Sequence, residues 1–169
     1  IHSHSDDLLL EDGHAQSKVR QGVTTEVLGK GRSAGPLKGK LSPRTLKARG
    51  KEFTWSTLGG YLDAIDQAGV SVNVASYVGL DNVWECVMGK DYTRPTPEQF
   101  AEMKKLLDEA MTDGAFGLSS MLAMPPGSLA TTDDIADLCS VVKKHGGLFS
   151  SHIRNEGTGV FDAVKEAIA

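Results

Sequence analysis

The chain has 169 residues, 40% of them hydrophobic and 24% charged, with a formal net charge of −4. This is ordinary globular composition, long enough for one core, and the interspersed charge excludes a nucleic-acid footprint. No run of about 18 or more apolar residues is present, which excludes a membrane-spanning helix.

Two cysteines, Cys86 and Cys139, lie far apart without CxxC spacing. They argue against a disulfide framework and suit a reducing, cytoplasmic compartment. The first residues read as the end of a strand. The last, Val164 to Ala169, are helix-patterned without a Gly, Asn or Pro stop. The expectation is therefore one domain over residues 1–169, truncated at both ends, and the lack of a leader carries no information about secretion.

In chain order, Ile1 to His4 reads as the tail of a strand, followed by a helix near Ala15 to Arg20. Val23 to Leu28 is β-branched, bounded by Gly22 and Gly29, and predicts a strand. The basic stretch from Lys38 to Lys51 reads as a solvated excursion, with a substrate-capping lid as the alternative. Leu58, Tyr61, Leu62 and Ile65 share one helical face ended by Gly69, and Val70, Val72 and Val74 alternate into a strand closed by Gly79. Thr96-Pro97-Glu98-Gln99 is a capping box with proline at the first helical position, and the helix it opens stops at Gly114. Ala115 to Leu118 is a short strand. Thr132 caps a helix carrying Ile135, Leu138, Cys139 and Val142; Leu148 to Ile153 is a strand; and Val160, Phe161, Val164 and Ile168 form a last helical stripe.

Strands alternating with helices imply parallel pairing, because each crossover helix returns the chain to the same direction. An open doubly wound sheet and part of a (β/α)8 barrel both fit, and no GxGxxG follows the first strand to favour dinucleotide binding. In either architecture ligands sit at the carboxyl ends of the strands. Those ends collect His2 and His4, then Gly29 to Ser33, then Tyr77 to Leu80, then Ser119 and Ser120, then His152, Arg154, Asn155 and Glu156.

His2 and His4 are two apart in a strand, so both imidazoles face one side. Neutral imidazole suits zinc, which in catalytic sites takes about three protein ligands and keeps one position open. An isolated HxH is more often incidental surface, but His152 on the same edge turns the balance toward a metal site. Elsewhere the structural readings prevail. His14 and His145 are surface groups, Cys139 is a core residue, Cys86 is a packing residue close to a strand end, and Ser119 and Ser120 lack a nucleophile elbow.

These residues carry a resemblance to a known family. His2-Ser3-His4-Ser5-Asp6, Gln21 to Glu26, Arg32 to Pro36, Gly114 to Ser120, Pro126-Gly127 and Ser151 to Gly157 match, in order and spacing, the N-acyl-D-amino-acid deacylase (D-aminoacylase) family of the amidohydrolase superfamily. The resemblance implies an imperfect TIM-type barrel, of which this chain would hold roughly strands 1 to 5, attached to a small β-sandwich. It implies metal roles for His2, His4 and His152, with Zn2+ as cofactor. It also implies zinc-assisted hydrolysis of the amide bond of N-acyl D-amino acids, with an aspartate moving the proton.

The chain departs from the pattern in three places. Lys30 stands where the family places a cysteine or acid in the loop after the second strand; it reads as solvated, or as a carbamylated neighbour of the metal. Met124 stands where the family often has tyrosine before Pro-Gly. The sixth-strand histidine and the eighth-strand aspartate are expected downstream of Ala169, so the 169-residue piece by itself is expected to be inactive. Arg154 reads either as a grip on a substrate carboxylate or as a salt bridge between barrel elements. Rival readings are a cyclic-amide hydrolase of the dihydroorotase or hydantoinase kind, which would carry a lysine on the fourth strand, and a non-catalytic ligand-binding relative.

Overall fold

β-Branched runs in this chain are short and the stretches between them have helical periodicity, so strands and helices alternate. The computed structural model describes residues 2–168. Among these, α1 (Asp6–Glu11) and α2 (Gln16–Val19) precede β1 (Thr25–Leu28), β2 (Arg44–Ala48) and β3 (Lys51–Trp55). Then come α3 (Leu58–Ala68), β4 (Asn73–Ser76), β5 (Val78–Gly79), α4 (Leu80–Met88) and α5 (Pro97–Thr112). The remainder is β6 (Gly117–Met121), a 3-10 turn (Gly127–Leu129), α6 (Thr132–Lys144), β7 (Leu148–His152) and α7 (Val160–Ile168).

The central strands are parallel. β1 pairs with β4 from Thr25↔Asn73 to Leu28↔Ser76, and β6 pairs with β5 on one side and with β7 on the other. Only Tyr77 separates β4 from β5, and its N–H still donates to the Leu28 carbonyl at 3.0 Å, so the two act as one broken strand. At the other edge the Ser3 N–H donates to the Val27 carbonyl at 3.0 Å. The order across the sheet is therefore the His2–His4 segment, β1, β4/β5, β6, β7. This is an α/β fold with five segments side by side: the last four are parallel strands, counting β4/β5 as one, whereas residues 2–4, expected as a strand tail from Ile1 (which lies outside the described residues) to His4, form no strand; among the described residues the sheet does not close into a barrel.

The helices that return the chain bury one face each. α5 carries the expected capping box, with the Thr96 hydroxyl accepting from the Gln99 N–H and the Gln99 side chain accepting from the Thr96 N–H. Its buried residues are Met103, Leu106, Leu107, Ala110 and Met111, and the large ones contribute about 1.5–3 kcal/mol each on full burial. α6 repeats the device with Thr131 and Asp134. The strand crossing is tight where β6 meets β7: a Cβ at Gly117 would lie 1.8 Å from the Leu148 carbonyl oxygen, and its φ of +156° falls where side chains are rarely accommodated.

Three sequence expectations are corrected. The stretch expected as a solvated excursion is largely the antiparallel hairpin β2–β3, whose inner residues Phe53 and Trp55 are buried. Its charges are also partly spent, since Arg44 pairs with Asp7 and Lys38 with Glu109. The cap of α6 is Thr131 and not Thr132, which is the first helical residue, whereas Cys86, in the helix that follows β5, is buried next to the backbone of Pro36 and Lys38 as a packing residue. Finally, α1 and α4 have no counterpart among the predicted elements.

A histidine cluster at the strand ends

The parallel order delivers every strand's carboxyl end to one side, and the chemistry-bearing residues follow. His2 and His4 lie on the first segment, Lys30 follows β1 through Gly29, and His152 ends β7. Nε2 of His2 and Nε2 of His4 are 3.0 Å apart. The His2 ring stands edge-on to both neighbours, with centroids 5.0 Å from His4 and 4.8 Å from His152. His2 is therefore the hub. Desolvation, then the neighbouring His152, His4 and Lys30, hold its imidazole below the ordinary histidine pKa, which favours the neutral form that a metal requires.

The strand below the rings is hydroxyl-rich. Ser119 is fully buried, accepts from the Gly31 N–H at 2.9 Å and donates to the Gly29 carbonyl. Ser120 and Ser151 bond each other at 2.9 Å across β6 and β7. These hydroxyls tie the loop after β1 to the neighbouring strands. Ser3, between the two histidines, donates to the buried Glu26 carboxylate, so the His2–His4 segment is anchored to β1 by side chain as well as backbone.

Lys30 is only 9% exposed. Its ammonium donates to the Ser150 hydroxyl and sits 4.3 Å from the centroid of the Tyr77 ring, in cation–π range. Burial lowers its pKa. The expected solvated lysine is thus an inward-facing one.

Arg154 lies on the same edge, and its donors are directed to the protein itself. Nε and Nη2 reach the Glu166 carboxylate at 2.8–3.1 Å, Nη1 reaches the Ser128 carbonyl at 3.2 Å, and Nη2 reaches the Ala130 carbonyl at 2.8 Å. The guanidinium holds the Glu166 carboxyl below the usual carboxylate range. A bridge between the loop after β7, the 3-10 turn and α7 is what these contacts make. Met124 is exposed in a shallow hollow of about 340 Å³ shared with His152, Arg154 and Glu156.

A second hollow flanks His4. Its volume is about 400 Å³, and its walls include Asp6, Asp7, Arg32 and Arg44. Sequence reasoning missed it because Arg44 reaches it from the hairpin and Asp6 from α1, elements whose signals in the sequence are weak.

The residues present can be tested against a metal. Among the described residues, no set of three His, Cys, Asp or Glu side chains stands ready as a metal centre. Nevertheless, two nitrogens bound to one tetrahedral zinc at 2.0–2.1 Å are about 3.3 Å apart, and the His2–His4 pair at 3.0 Å is close to that. With His152 as the third ring on the hub, the donor set fits zinc chemically.

Parallel strands with a histidine cluster at one edge make this an α/β chain whose candidate site lies at the strand ends. Comparison with known proteins agrees. No family model matches, but the chain is 35% identical over 168 residues to D-aminoacylase of Alcaligenes xylosoxydans xylosoxydans, covering 98% of this chain and 35% of the relative. It is also 35% identical over 171 residues to the N-acyl-D-aspartate deacylase of the same organism, covering 99% and 34%.

Among solved structures, a D-aminoacylase described as defining a novel subset of amidohydrolases superposes with a TM-score of 0.84 at 31% identity, over 98% of this chain and 35% of its own. A related D-aminoacylase structure is described by its binuclear metal centre, with one-metal activation and second-metal attenuation. N-acyl-D-glutamate deacylase from Bordetella bronchiseptica, complexed with zinc and a phosphonate mimic of the tetrahedral intermediate, superposes at 0.85 with 30% identity, over 99% and 36%. The chain thus resembles proteins of the D-aminoacylase, or N-acyl-D-amino-acid deacylase, family over nearly all of its own length, and it spans about a third of the length of these relatives.

Proposed function

We propose that this chain carries the metal-binding strand ends of an N-acyl-D-amino-acid deacylase, which hydrolyses the amide bond of an N-acylated D-amino acid. The observation that carries the reading is His2 standing between His4 and His152 at the strand ends. In this reading His2, His4 and His152 hold a zinc ion. Bound zinc supplies Lewis acidity toward an amide carbonyl and acidifies water.

The chain's own residues supply placement. The bond from Ser3 to Glu26 anchors the segment that carries the two histidines, and desolvation with the neighbouring His152 and His4 lowers the pKa of His2. Ser119 and the flanking glycines set the loop after β1 against β6. The proton-transferring aspartate and the sixth-strand histidine that the family resemblance implies are not among residues 2–168, so the complete reaction belongs to a longer protein in this reading.

The cyclic-amide alternative is disfavoured by β6, the fourth of the five segments, which runs Gly-Leu-Ser-Ser-Met and carries no lysine. A non-catalytic relative is the second reading, favoured by Lys30, a cation where a metal-binding site gains from an anion. Zinc analysis of the protein at its natural length, with hydrolysis assays on N-acetyl-D- and N-acetyl-L-amino acids, separates them. The deacylase reading expects bound zinc and turnover of the D series. Zinc without turnover of either series supports the binding relative.

A further inference from the structure

Two local departures from the stable arrangement converge on the residue between His2 and His4. Ser5 is the N-cap of α1, where a serine hydroxyl ordinarily accepts from a backbone N–H of the first turn, yet it makes no such bond. Its hydroxyl lies instead 2.7 Å from that of Ser3. Glu26, on β1, is 3% exposed, and among the described residues its Oε1 is buried without a partner, an unfavourable place for a carboxylate oxygen. Its Oε2 accepts from the Ser3 hydroxyl and lies 3.6 Å from the Lys18 ammonium. A serine hydroxyl has one proton. Ser3 gives its own to Glu26, so Ser5 is the donor in the contact between the serines. The hydrogen bonds therefore run from Ser5 to Ser3 to Glu26 and span His4, which stands between the two serines in sequence.

We propose that Glu26 is a positioning residue for the metal site, holding the segment of His2 and His4 in its metal-binding conformation through Ser3 and Ser5. The inference rests on the reading of His2, His4 and His152 as metal ligands. Residues 2–4 form no strand, so a regular ladder does not set their register. The Ser3 N–H bond to the Val27 carbonyl and the side-chain chain to Glu26 do that work. A hydrogen bond to an ionised acceptor is about twice as strong as a neutral one, which suits a carboxylate at the end of this chain. Donors held in place before binding take up a metal more tightly, because less order has to be imposed when it arrives. Lys18 balances the buried charge, and the acceptor oxygen is what the histidine segment uses. Departures from local stability of this kind gather at functional sites.

The test separates metal affinity from folding. For the purified protein at its natural length, zinc affinity is measured by competition with a chromophoric chelator, and a melt of the metal-free protein reads stability. Glu26→Ala and Ser3→Ala are each expected to weaken zinc binding by about 10-fold or more, the range of losing an outer-shell partner. The double variant is expected to lose no more than the weaker-binding single one, since both remove one interaction. Glu26→Gln keeps an acceptor for Ser3 and is expected to restore affinity close to the wild type, although the pair with Lys18 is gone. Lys18→Met is likewise expected to bind zinc as the wild type does. If Glu26→Ala does not fold, Ser3→Ala and Glu26→Gln carry the comparison. Wild-type zinc affinity in a folded Ser3→Ala or Glu26→Ala variant overturns the inference, as do additive losses or a Glu26→Gln variant no better than Glu26→Ala. Zinc binding absent from the wild type, or unchanged in His2→Ala, fails differently: it removes the histidine reading, and this inference with it.

Discussion

Arg154 shows how a residue's contacts decide between two roles that its sequence position leaves open. Its guanidinium bonds to Glu166 and to two carbonyls, which is structural work. Arg154→Ala is expected to lower stability by about 2 kcal/mol, since hydrogen bonds to charged groups are worth about 1.5–3 kcal/mol. The melting temperature reads that loss. A raised KM with unchanged melting would instead assign it to substrate.

Asp81 gives a pH-dependent counterpart. Burial raises its pKa to about 6, against the lowering influence of Arg32, and one of its carboxyl oxygens is buried without a partner. A carboxyl raised in the folded state binds its proton more tightly there than when unfolded. It therefore costs nothing below about pH 4, and stability falls as pH rises from about 4 through 6. Asp81→Asn is expected to gain about 1–2 kcal/mol over the wild type at pH 7.5 and little at pH 4.5. An equal gain at both pH values, measured by denaturant titration, would contradict the assignment.

At the scale of elements, the parallel strands and the long helices were legible because their periodicities are clean. The strand expected from Leu148 to Ile153 is observed as Leu148–His152, and the helix opened by Thr96 is observed as Pro97–Thr112. α4 was not legible, and its burial explains why. Seven of its nine residues are buried, Asn82 and Glu85 included, so no polar face marks a period. It also starts directly after Gly79 with no side-chain cap.

The hairpin β2–β3 hides for another reason. Its turn places both Arg49 and Gly50 at positive φ, 51° and 73°, where Asn-Gly or Asp-Gly is the usual signal. Arg49 is held there by bonds from its guanidinium to the Leu10 and Gly69 carbonyls, contacts distant in sequence. The candidate site divides the same way. The three histidines follow from strand order, whereas the inward turn of Lys30 depends on Ser150, 120 residues away. One element-level prediction concerns the β6–β7 crossing. Gly117→Ala must push Leu148 aside and is expected to cost more than about 3 kcal/mol, beyond the roughly 1–3 kcal/mol typical of overpacking. A loss under about 1 kcal/mol by chemical denaturation would show that the crossing yields.

For the whole molecule, the surface beyond β7 is apolar. Phe161 is 78% exposed and Ile168 79%, with Leu148 and Val164 also open, and a hollow of about 410 Å³ between α6 and α7 is lined by Ile135, Cys139 and Phe149. Residues 1–169 produced alone are expected to self-associate through this face and the outer edge of β7. Phe161→Glu should reduce that association, as light scattering after gel filtration can show. A monodisperse monomer with a sharp melt would contradict the expectation.

The central claim is that His2, His4 and His152 together hold a metal ion, and X-ray absorption at the zinc edge tests it most directly. For the zinc-loaded protein at its natural length, the account predicts imidazole nitrogens at about 2.0–2.1 Å from the metal. It also predicts that the histidine contribution shrinks in each of His2→Ala, His4→Ala and His152→Ala, with zinc affinity falling by more than the roughly 10–100-fold typical of losing an outer-shell partner. Unchanged spectra and affinity in the His2→Ala variant, which removes the hub of the cluster, would contradict it.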